Sequence, residues 1–127
     1  MDNLTVEQII VIHEQVMKTD GGDSRLLSEA SLHQMIFLAN RVEGVYQRAA
    51  LAFFSLVAYP AFRDGNSRTA RLVAEMILNH NGYTLEDGDA DMSALVQGIA
   101  LFTDEQADVE EWLRSHYKKT SSPDISF

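Results

Sequence analysis

The chain has 127 residues, 46% hydrophobic and 23% charged, which fits one globular domain with enough apolar side chain to fill a core. Nineteen acidic against ten basic residues leave a net charge of −9, which argues against a free-standing nucleic-acid binder, since such proteins need a basic face to displace counterions from phosphate. The absence of cysteine excludes disulfides and thiolate metal sites, and no apolar run approaches the roughly 20 residues a bilayer span requires.

Asp2 and Glu7 interrupt the N-terminus before an apolar run develops, so no signal peptide and a cytoplasmic location are expected. The first helix is predicted from about Val6 to Met17, with Thr5 as N-cap and Gln8 completing a capping box. Ile9, Ile12, His13 and Val16 give it one apolar face, and Asp20 to Ser24 form a polar loop. A second helix is expected from Ser28 to near Asn40, and a third, almost wholly apolar, from Tyr46 to Tyr59. Pro60 stops it, because proline lacks an N–H and disfavours helix in the residue before it. The fourth helix is placed from Ser67 or Arg68 to a left-handed cap at Asn81-Gly82. Glu86 to Asp89 read as an acidic turn, residues 91 to 102 as a fifth helix, and Thr103 as the cap of a last one carrying Val109, Trp112, Leu113 and His116. No strand is expected. The fold class is therefore all-α: a single-domain bundle of about six helices over residues 1–119, followed by a polar tail at 120–127.

The chemistry-bearing segment lies between the two central helices, at Asp64-Gly65-Asn66-Ser67-Arg68. The first turn of a helix offers backbone N–H groups without partners, and the macrodipole adds partial positive charge. Glycine permits close approach of a ligand, and Arg68 and Arg71 stand three residues apart on that turn. Together these make a candidate phosphate site, to which Asp64 could add a divalent cation. A helix-start turn with no ligand accounts for the same spacing about equally well.

Pro60-Ala61-Phe62-Arg63-Asp64-Gly65-Asn66-Ser67-Arg68 resembles the motif of the Fic/Doc family, His-x-Phe-x-(Asp/Glu)-Gly-Asn-(Gly/Lys)-Arg. Phe62, Asp64, Gly65, Asn66 and Arg68 match it; Pro60 and Ser67 do not. The segments Leu4 to Glu14, Gly21-Gly22 and Asn79 to Tyr83 are similar to Doc ("death on curing") proteins, so that the resemblance runs over residues 3 to 117. It implies ATP and magnesium as cofactors, with Phe62 anchoring the loop, Asp64 holding the metal, and Gly65, Asn66, Ser67, Arg68 and Arg71 around the phosphates. It further implies AMP or phosphate transfer to a protein hydroxyl by a toxin paired with a small antitoxin, with elongation factor Tu as a target of the Doc kind. Ser67 stands where transferases carry glycine and kinases lysine, which leaves the two transfers open.

The family's histidine is the general base. Without a gap Pro60 occupies its position; if Ala61 is an insertion, Tyr59 does. Proline has no base, and a phenol near pKa 10 is about 3 units too weakly ionised at neutral pH. Activity in the family's manner is expected to be impaired. The alternative is a non-catalytic module binding nucleotide, another anion or a protein. His13 and His80 fall on apolar faces and read as core residues, His33 and His116 as surface or half-buried ones. No Ser/Thr-x-x-x-Glu-(Gly/Asn) inhibitory stretch occurs, so self-inhibition is not expected.

Overall fold

The computed structural model describes residues 1–86 and 91–120. Its architecture follows from one helix too apolar to sit at a surface. In α3 (Val45–Ala58), Ala49, Ala50, Ala52 and Phe53 have no exposed surface, and small side chains there let neighbouring helices approach closely. Around it pack α2 (Glu29–Asn40), α4 (Asn66–His80), α5 (Ser93–Ala100) and α6 (Gln106–His116), while α1 (Val6–Asp20) lies against α4. The class is all-α, with six helices among the described residues. No helix among the described residues is long and apolar enough to cross a membrane.

Local signals fix most of the boundaries. Thr5 and Gln8 form the reciprocal capping box that starts α1, and the Ser28 hydroxyl accepts from the Ser31 N–H at the start of α2. Tyr59 caps α3 immediately before Pro60. Gly82, at φ +85°, follows the Asn81 cap of α4.

Four expectations need correction. Two short strands exist: β1 (Tyr83–Leu85) pairs antiparallel with β2 (Tyr117–Lys119). Three-residue strands show no alternation a sequence can reveal, and this pair joins segments far apart in the chain. The cap of α6 is Glu105, reciprocated by Asp108, because the Thr103 N–H and hydroxyl both bond the Gly98 carbonyl and close α5 instead. The fifth helix is shorter than expected: the Asp91 carboxylate holds the Ser93 N–H at its start, and Phe102 turns to φ +61° at its end. His80 is exposed: as the last residue of α4 it points away from the side that buries Ile77 and Leu78 and borders a cleft lined by residues 1–4. The acidic turn falls largely, and the polar tail almost wholly, outside the described residues.

Arg48 is the one buried cation among the described residues, 4% exposed. Its guanidinium donates to the Asp2, Asn40 and Val42 carbonyls, supplying the C-terminus of α2 with the positive charge its own last turn lacks. Burial lowers its pKa.

Candidate functional site

The loop between α3 and α4 is held from three sides. From below, the segment before α2 runs alongside it: the Leu27 and Ser28 N–H groups both donate to the Ala61 carbonyl, and Arg63 N–H donates to the Arg25 carbonyl at 2.8 Å. From within, Asn66 is a staple. Its Oδ1 accepts from the Phe62 N–H at 3.1 Å and its Nδ2 donates to the Phe62 carbonyl at 2.7 Å. That spends the amide inside the loop, leaving only the Asn66 backbone N–H for a ligand.

From the side comes α1. His13 is 2% exposed, stacks on the Phe62 ring at 3.6 Å between centroids, and bonds the Asp64 carbonyl through Nε2 at 2.7 Å. A carbonyl can only accept, so Nε2 carries the hydrogen. Phe62 is itself 3% exposed and forms an isolated bridge with Leu26. The loop is thus pinned at Phe62 and Asp64 by a residue from another helix. Nothing in the local pattern of α1 distinguishes that role from ordinary core packing, and His13 was legible only as a buried histidine.

Gly65 is the N-cap of α4, at φ +80°, and a Cβ there would sit 2.7 Å from Met17 Sδ. Both the left-handed conformation and the close packing require glycine. The cap has no side-chain hydrogen bond, and the first α4 amide to find an acceptor is Thr69 N–H, on the Gly65 carbonyl. The N–H groups of Asn66, Ser67 and Arg68 have no acceptor among the described residues. Three orphan donors at the positive end of a fifteen-residue helix make a mouth with the chemistry to take an anion.

The charged groups around that mouth are partly engaged. Asp64 Oδ2 accepts from the Asp23 N–H at 2.8 Å, and its carboxylate is otherwise open to solvent. Arg68 Nη1 lies 3.4 Å from Asp20 Oδ1, a half-exposed pair that solvent screens. Arg71 departs from its neighbour: its charge acts on Asp91 and Tyr117, at the start of α5 and in β2. The Asp91 carboxyl is held below its usual range by hydrogen bonds from the Ser93 hydroxyl and N–H, helped by Arg71. Asp23 is likewise lowered, chiefly by the Arg25 N–H and guanidinium. So Phe62, Asp64, Gly65, Asn66, Ser67 and Arg68 share one mouth, whereas the charge of Arg71 acts on Asp91 and Tyr117 instead.

At the base position the structure places no imidazole. Pro60 is exposed, and the Tyr59 ring packs edge-on against Phe54 at 6.5 Å, turned to the groove between α2 and α3. His13 is buried with Nε2 committed as a donor. His33 pairs with Glu29 on the surface, and His116 stacks on Trp112 at the other end of the molecule. A magnesium ion needs few protein ligands when phosphates supply the rest. The open Asp64 carboxylate beside the orphan amides has that chemistry, whereas no group of three metal-ligating side chains occurs among the described residues.

No curated protein matches the chain. A model of the Fic/DOC family matches residues 3–78, from the N-terminal segment to just short of the end of α4, so the part of the resemblance read over residues 79 to 117 lies outside it. That match spans more than half the chain and contains α1, the pinned loop and the mouth of α4; the chain belongs to the Fic/DOC family.

Proposed function

We propose that the chain is a nucleotide-binding protein of Fic/Doc descent, in which the mouth of α4 grips the phosphates of ATP with magnesium while the general base for transfer is missing. The observation that carries this reading is the row of unpaired Asn66, Ser67 and Arg68 N–H groups on a loop pinned by His13 and Asn66. Pinning matters because donors fixed in advance bind an anion without an ordering cost. Asp64 would hold the metal, and Arg68 would exchange its screened contact with Asp20 for a phosphate oxygen. Magnesium would supply charge neutralisation between the phosphates; the chain's own contribution is to orient them.

A protein hydroxyl attacks phosphorus only as its proton leaves, and a positioned base accelerates that step by about 100- to 10,000-fold. With proline at that position, AMP or phosphate transfer should fall by a factor of this order. The ancestry points to a toxin restrained by a small antitoxin, with a target such as elongation factor Tu.

The test uses ATP labelled on the α- or γ-phosphate, magnesium and a cell lysate, with the native chain beside Pro60→His. The expected result is ATP binding by both and label transfer by the variant alone. Transfer by the native chain would overturn the impaired-base reading. Absence of ATP binding by either form would favour the second reading, a protein-interaction module, which the internal partners of Asp64 and Arg68 support.

A further inference from the structure

One face of the molecule carries more uncovered apolar surface than its own fold uses. On α2, Phe37 and Leu38 are 61% and 42% exposed although the opposite side of the same helix is buried in the core. A helix apolar on two sides normally has two neighbours. Between α2 and α3 runs a groove of about 410 Å³, floored by Leu38, Leu51, Phe54 and Tyr59. Its polar lining is Ser31, Gln34, Ser55 and Gln106, so no charged residue borders it in a chain of net charge −9.

Beside the groove stands a knob. Leu101 is 71% and Phe102 94% exposed, and Phe102 holds φ +61°, a conformation an aromatic side chain rarely adopts. Gln106 on the groove rim is four residues away, so knob and groove are separated by at most about 14 Å. A groove and a projecting knob on one face are self-complementary about a two-fold axis. Charge agrees: Arg41, at the end of α2, lies over the exposed Phe37 ring, while Asp104 and Glu105 follow the knob.

We propose that this face closes a symmetric homodimer, the Leu101-Phe102 knob of each copy seated in the α2–α3 groove of the other. The area suffices. An aromatic side chain offers roughly 150–250 Å², so Phe37, Tyr59 and Phe102 together expose on the order of 400 Å², before the leucines are added. A standard interface uses about 800 Å² per partner, a little over half of it apolar, or about 450 Å². The contact also brings Asp104 and Glu105 of each copy toward Arg41 of the other.

Sedimentation of the full chain across the micromolar-to-millimolar range tests this, with Phe102→Asn and Tyr59→Ser as variants. Asparagine tolerates positive φ, so Phe102→Asn should keep the fold, checked by thermal unfolding, while raising the dimer dissociation constant by at least about tenfold. Tyr59→Ser should do likewise. A mixture of the two variants restores one intact knob and groove per pair, and should associate more tightly than either alone. A native chain that stays monomeric at millimolar concentration, or a dimer indifferent to both substitutions, would overturn the proposal.

Discussion

Replacing His13 tests whether the loop is held from α1. The side chain makes two separable contacts: a hydrogen bond to the Asp64 carbonyl at 2.7 Å and a ring stack on Phe62 at 3.6 Å. The bond contributes about 1 kcal/mol and the stack about 0.5–1.5 kcal/mol beyond burial. His13 is almost fully buried, so truncation also opens a cavity, and His13→Ala should cost about 3–4 kcal/mol in all. His13→Phe keeps the ring and removes only the donor. Its cost should be about 1–2 kcal/mol, the loss of the bond plus a partly buried carbonyl left unpaired. Urea unfolding with coincident fluorescence and circular-dichroism transitions would measure both, and titration with ATP would follow the mouth itself. The phenylalanine variant should bind more weakly than its stability loss explains, because Asp64 is then free to move. A phenylalanine variant as stable as the native chain, or an alanine variant losing under about 1 kcal/mol, would refute the clamp.

Gly65→Ala should destabilise by about 1–3 kcal/mol, since alanine resists φ +80° and its Cβ would press on Met17 Sδ; thermal unfolding would show it. Arg48→Met should cost about 2–3 kcal/mol by leaving the Asp2, Asn40 and Val42 carbonyls without their donor, and should loosen residues 1–4 in hydrogen exchange. Tyr117 is buried with its hydroxyl on Glu75 Oε2 at 2.9 Å, and burial together with that carboxylate raises its pKa above the ordinary value near 10. A raised phenol pKa favours the folded state below the unfolded value, and that contribution disappears as pH climbs from about 10 toward the folded value. Alkaline unfolding of the native chain should therefore be steeper than that of Tyr117→Phe, and equal slopes would count against it.

What a sequence reveals depends on how far apart the cooperating residues lie. Caps are local, so Thr5 with Gln8, Ser28, Pro60 and Asn81-Gly82 could be placed before any coordinates. The motif loop is local too, which is why its position between α3 and α4 was readable. The clamp by His13 spans 51 residues, and the strand pairing of Tyr83 with Lys119 spans 36. Neither leaves a periodic trace. Asn66 misled in another way: asparagine in a glycine-containing loop reads as a ligand donor, but both polar atoms of its side chain are occupied by Phe62.

Binding and base catalysis at this site rest on different features. Proline at position 60 removes a side chain that could have titrated, yet it does nothing to the backbone on which the anion mouth depends: the Ala61 carbonyl still takes two N–H donors, and Phe62 is still sealed under His13. Binding depends on amides, a glycine conformation and a buried ring, all of which are built by the fold. Base catalysis depends on one imidazole, which the fold does not need. A fold-dependent site therefore persists as long as the core does, whereas a single titratable group can vanish without structural consequence. That asymmetry is why Pro60→His is the informative substitution: it adds chemistry to a loop whose hydrogen bonds are made by Ala61, Phe62, Asp64 and Asn66 and not by the residue being replaced.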